Sequence, residues 1–188
     1  MFFSTNARYR QLRRLIEINF DPTNNANSNT LTRLQKHNKT SLICSSAAAF
    51  FLIMAGNFRT TESVPIHTVA AFSMITLNLI YFSIQSYISR QLYNHFSIES
   101  PPTSMIIFTV FGIVSYVVCA FATLVSALQF GFDNVSDNEK RLRWNSNDDG
   151  YMAHVIGCIA EWIAINGVPL MYLCLFRRMK NFENKNKI

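Results

Sequence analysis

Residues 104–130 read SMIIFTVFGIVSYVVCAFATLVSALQF and hold no charged side chain. At 1.5 Å per residue a helix of this length exceeds the ~30 Å hydrocarbon core of a bilayer. The stretch, opened by Pro101-Pro102, therefore reads as a membrane-crossing helix. The pattern recurs on both sides of it. Residues 41–58 (SLICSSAAAFFLIMAGNF) form the shortest apolar run, rich in Ser and Ala. Residues 64–89 and 151–176 are each long enough to cross with some tilt. The expected fold is all-α, a polytopic transmembrane helical bundle of four spans. A loop over 131–150 joins the last two spans, and polar tails cover 1–40 and 177–188.

Composition agrees. Apolar residues make up 49% and aromatics 13%, whereas charged residues reach only 15%, against ~25% in a typical soluble domain. A disordered chain and a hydrophilic secreted module are both excluded. The net charge of +6 would on its own suggest nucleic acid, but the charges sit in the tails and short loops. No aromatic-interleaved basic face accompanies them. The expected contacts are membrane lipids and other proteins met through helix faces and tails, with no nucleic acid. The oligomeric state stays open. Cys44, Cys119, Cys158 and Cys174 all lie in apolar runs without a CxxC or Cys/His cluster. They read as packing residues rather than disulfides or zinc ligands, and no metal, cofactor or catalytic residue is expected.

The first forty residues lack the basic-then-apolar layout of a cleavable signal peptide. They read as a basic, partly disordered tail, with a short helix over Arg8 to Ile18 and a flexible spacer over Asn24 to Asn29. Thirteen Lys and Arg fall on the side of the two termini and four on the other. The positive-inside rule then places both tails in the cytosol and the 131–150 loop in the lumen or outside. That loop carries Asn134-Val135-Ser136, a glycosylation sequon. Asn38-Lys39-Thr40 falls on the opposite side and should be silent. Tyr9-Arg10-Gln11-Leu12 fits a tyrosine-based sorting signal; alternatively, Tyr9 and Leu12 form the apolar face of a short helix.

Polar groups inside a bilayer are costly and normally face the bundle interior. At about 100° per residue, His67, Asn78 and Gln85 fall on one line of their span, with Ala71 and Met74 between them. His154 and Glu161 share a face of the last span, beside Trp162. A carboxyl near mid-membrane calls for a partner, and Asn78 or a histidine is the candidate. These five residues form a candidate intramembrane polar network. It either fixes helix register or serves a proton- or ligand-linked role. A third alternative makes Glu161 and the histidines the working groups of a lipid-remodelling enzyme or small transporter. In the 104–130 span, Gly112, Ser115, Cys119, Ala122 and Ser126 form a stripe of small residues that permits close helix approach. Pro169 with Gly167 is expected to kink the last span.

Several stretches together resemble the damage-regulated autophagy modulator (DRAM) family, within the broader Frag/Sfk-type membrane superfamily. They are Asn57-Phe58, Val64-Pro65-Ile66-His67 and Gln85-Ser86. The most specific is Trp144-Asn145, Tyr151, His154 and Glu161-Trp162 at family-like spacing. One departure is Ala70-Ala71, where the family tends to have Gly-Ala. The resemblance runs from about Leu31 to Phe182 and implies six-span proteins, of which this chain would supply the last four. It further implies a non-enzymatic regulator of autophagy in lysosomal or endosomal membranes. The plasma membrane is the second expected location, where relatives support phosphoinositide kinase complexes.

Overall fold

Each apolar run coincides with a helix longer than itself, except that Phe58 falls just past the end of its helix. The computed structural model of the protein describes residues 2–18, 25–58, 63–96 and 100–185. In chain order the helices are α1 (Phe2–Ile18), α2 (Asn25–Asn57), α3 (Val64–Phe96), α4 (Thr103–Phe130), α5 (Phe132–Ser136), α6 (Asn138–Leu142) and α7 (Tyr151–Lys185). No strand occurs among the described residues. Helices α2, α3, α4 and α7 are long and apolar enough to cross a membrane. α2 and α3 have 33 residues each, about 50 Å of helix, so their ends project well beyond a ~30 Å hydrocarbon layer.

The helices pair as two hairpins, α2 with α3 and α4 with α7, and α1 packs across α2. The α4–α7 hairpin closes along the expected small-residue stripe. Gly112, Ser115, Cys119, Ala122 and Ser126 are all buried, while Val110, Val114, Val117 and Phe121 on the other faces of α4 stay exposed, as a lipid-facing surface requires. The two hairpins meet at Gly112. A Cβ there would stand 3.0 Å from Leu79 Cδ2 and 3.7 Å from Met171 Cε. Around this point Phe82, Tyr81 and Tyr172 pack ring against ring, with Tyr172 centroids 4.8 Å from Phe82 and 6.0 Å from Tyr81. Pro169 sits inside α7, which continues past it to Lys185.

A second core lies at the end of the bundle that carries both termini. Leu12, Leu15 and Ile16 of α1 pack with Leu31 and Leu34 of α2 and Ile88 and Leu92 of α3. Each is at most 3% exposed, and full burial of such side chains contributes roughly 2 kcal/mol apiece. This core is where the structure departs from the expected tail over 1–40. α2 begins at Asn25, well ahead of residue 41, and takes in most of the stretch expected as a spacer; Asn24 lies outside the described residues. The physical reason is the apolar spacing within a polar segment. Leucines 12, 31 and 34 share one buried side, while Arg13, Arg14, Lys36 and Lys39 cover the exposed one. α3 and α7 likewise run on past residues 89 and 176, because Leu92 and Met179 still have partners to bury against.

Candidate functional site

The most connected buried polar cluster is built around Arg8, which is 0% exposed. Thr5, Arg8, Leu12, Leu15 and Ile16 fall on the inward face of α1, so the helix that buries its leucines carries the guanidinium in with them. Arg8 Nε donates to Gln85 Oε1 at 3.4 Å, one terminal nitrogen to Ser89 Oγ at 3.2 Å, and the other to Gln11 Oε1 at 2.9 Å. Gln85 Nε2 donates onward to Ser41 Oγ at 2.9 Å, and Ser41 Oγ to the Asn38 carbonyl at 2.8 Å. Asn38 Nδ2 donates to the Tyr9 carbonyl at 3.1 Å, and Gln11 Nε2 to the Met179 carbonyl at 3.1 Å. One arginine thereby ties together α1, α2, α3 and α7. At the same end, Arg178 donates to the carbonyls of Ser100 and Pro101 at 2.9 and 3.1 Å, pinning α7 to the start of α4. Both arginines read in the sequence as topology charges; both are structural.

Of the polar line expected on α3, Asn78 and Gln85 are buried and His67 is half-buried. The three do not form one network with His154 and Glu161; each has its own partners. His67 Nδ1 lies 2.7 Å from the Phe58 carbonyl and 3.1 Å from that of Ala55. Carbonyls only accept, so this nitrogen carries the hydrogen. The ring satisfies carbonyls at the C-terminal end of α2, which no further helical turn can reach. His67 therefore closes the α2–α3 hairpin, next to Asn57, whose Nδ2 donates to the Ile53 carbonyl at 2.7 Å. Pro65 stands in the first turn of α3, where its missing N–H costs nothing. His67→Ala should destabilise the protein by about 1–2 kcal/mol. Thermal unfolding of the purified chain in detergent measures it, and His67→Asn, which can still donate, should recover part of the loss.

Asn78 does not partner Glu161; it bonds elsewhere. Its Nδ2 donates to the Met74 carbonyl at 3.0 Å and its Oδ1 accepts from the Tyr172 hydroxyl at 3.3 Å. α3 and α7 run in the same direction, so Asn78 is level with Tyr172. Glu161 is eleven residues away along α7, about 16 Å. There Glu161 is half-buried on the line of Tyr172, beside Cys119 and Cys158, with no hydrogen bond or ion pair among the described residues. Trp162 points outward, 68% exposed. The hydroxyls of buried Tyr81 and half-buried Tyr172 make a contrast. Tyr172→Phe should cost about 1 kcal/mol by leaving Asn78 Oδ1 without its donor. Tyr81→Phe should be neutral or stabilising, because the Tyr81 hydroxyl is buried without a partner. Paired unfolding curves decide.

At the loop end, Trp144 is sandwiched between Phe130 and His154, with ring centroids 4.0 and 4.6 Å away and planes within 21° of parallel. Trp144 Nε1 donates to the Asp149 carbonyl at 3.2 Å, and the Tyr151 N–H donates to that of Asp148 at 3.3 Å. His154 also approaches Cys158 Sγ, at 3.6 Å from Nε2. Trp144, Tyr151 and His154 thus fold the loop back onto α4 and α7. Asn134 lies in α5, one turn past the end of α4, and its carboxamide is engaged at both ends. Nδ2 donates to the Phe130 carbonyl, and Oδ1 accepts from Lys140 Nζ at 3.0 Å. Leu12 of the Tyr9–Leu12 motif is fully buried, so a receptor reaches it only when α1 leaves the bundle. Among the described residues, no group of three His, Cys, Asp or Glu side chains is placed to hold a metal.

Two apolar hairpins, joined by buried polar ties and bearing wide exposed apolar faces, define a multi-span helical membrane protein. Its family is set by sequence: residues 2–180 match the Frag1/DRAM/Sfk1/Cwh43P N-terminal domain, and the chain belongs to that family. Over 92% of its length it is 24% identical to DNA damage-regulated autophagy modulator protein 2 of Bos taurus and 22% identical to that of Rattus norvegicus. The Homo sapiens protein of that name is 23% identical over 77% of the chain. The chain spans 60% of the length of the cow and rat relatives and 54% of the human one. No solved structure matches.

Proposed function

We propose that the protein is a non-enzymatic regulator of autophagy that resides in lysosomal or endosomal membranes and acts through contacts with other proteins. The observation that carries this reading is the family match over residues 2–180, together with relatives named as autophagy modulators. The geometry is in keeping with it. Arg8, His67, Asn78 and Trp144 each join one helix to another, which suits a scaffold that presents fixed surfaces. The test is the location of the tagged protein at near-native expression. Overlap with a lysosomal marker is expected. It should persist in Tyr9→Ala, because the motif is folded into the α1 interface. Residence at the cell surface would contradict the lysosomal placement and favour a scaffold for phosphoinositide synthesis instead.

A further inference from the structure

Between α2 and α3, at the end that carries the termini, lies a groove of about 300 Å³ lined by Arg33, His37, Ser83, Ile84 and Tyr87. The Arg33 guanidinium carbon is 5.9 Å from the centre of the Tyr87 ring, and the His37 ring meets that ring edge-on at 5.3 Å. Arg33 is exposed and His37 half-buried, and neither makes a hydrogen bond or ion pair among the described residues. α2 and α3 contain no Asp or Glu, while Lys36, Lys39 and Arg90 stand exposed near the groove. Glu17 of α1 is already paired with Arg13 at 2.8 Å. Among the described residues the groove is therefore a positive site with no internal counter-charge.

Its depth selects the ligand. The groove sits beside the Ser41–Gln85 bond, where the apolar runs of both helices give way to polar residues. One to two turns deeper, exposed Ile80 and half-buried Cys44 continue the same line of each helix. A soluble anion gains nothing from that apolar continuation, whereas an acyl chain is buried by it. A guanidinium fork and a tyrosine hydroxyl suit a phosphate, and an aromatic ring at this level is a normal interfacial anchor. We propose that this groove binds the headgroup of an anionic phospholipid, with Arg33 on the phosphate and the acyl chains along Ile84 and Ile80. The site stands whether or not the protein acts in autophagy.

The test uses the purified full chain in detergent micelles, titrated with phosphatidic acid or phosphatidylcholine of the same acyl chains and read by native mass spectrometry. Phosphatidic acid should bind at least about tenfold more tightly, and Arg33→Gln should weaken it by about tenfold, the loss of a charge-assisted contact. Lys36→Gln, outside the groove, should change it by less than about threefold. His37→Gln provides a second groove variant if Arg33→Gln unfolds. Equal binding of the two lipids would overturn the proposal. So would equal losses in the Arg33 and Lys36 variants, which mean diffuse charge, and displacement by glycerol 3-phosphate, which means a site for soluble anions.

Discussion

Arg8→Ala should lower the stability of the folded chain by about 3 kcal/mol, the loss of a charged donor with three acceptors, two of them buried. The side chain is 0% exposed and holds Gln85, Ser89 and Gln11 at once. Truncation leaves those groups without their donor and opens a gap beside Leu12 and Ile88. α1 should then detach first. Limited trypsin digestion at the exposed Arg13 and Arg14 should therefore accelerate several-fold in Arg8→Ala while the rest of the bundle stays protected. Arg10→Ala, on the exposed face of the same helix, should leave both digestion and unfolding unchanged. Arg8→Lys keeps the charge but not the fork, so about half of the loss should remain. Equal protease sensitivity in Arg8→Ala and wild type would mean that α1 is not held by this residue.

Gly150→Ala should cost about 2–4 kcal/mol. Gly150 has φ of +78°, a region that favours glycine, and a Cβ there would lie 2.7 Å from the Ser126 carbonyl oxygen and 3.1 Å from Gln129 Cβ. The loop must pass this close because Trp144 is stacked between Phe130 and His154, which fixes the entry to α7. Either the backbone moves away from α4 or the aromatic stack opens. Tryptophan emission reports the second outcome, and thermal unfolding reports the cost. Gly56→Ala is the control. It lies within α2 with nothing inside 4 Å of an added Cβ, so it should be neutral or raise stability by up to about 1 kcal/mol. Equal behaviour of the two alanine variants would contradict the loop geometry.

Much of this architecture is legible in the sequence because a bilayer imposes a length and a polarity that few other environments do. The four spans follow from long apolar runs, interrupted by a charge only at Glu161, and the small-residue stripe of α4 identifies its buried face. Arg8 was hidden by the same arithmetic. A Lys and Arg count treats every basic residue in a polar tail alike, although the signal lies in the Thr5, Arg8, Leu12, Leu15 spacing. Glu161 and Asn78 looked level when depth was counted from the span ends. The offset between α3 and α7 is set by packing at Gly112 and Met171, which no single span encodes. His67 was visible as a polar residue inside a span, but its role depends on where α2 ends, and helix ends are the least certain feature of a sequence reading. Trp144, Tyr151 and His154 stood out only as a spaced motif; their stacking needs the loop to return over Phe130.

The central claim is functional, and autophagic flux tests it most directly. Flux is measured as cargo delivered and degraded with and without a block of lysosomal proteolysis, in cells from which this protein has been cleanly deleted. A lowered flux, restored by the wild-type chain at near-native level, is the expected result. Unchanged flux after deletion, in cells shown to express the protein beforehand, would contradict the account.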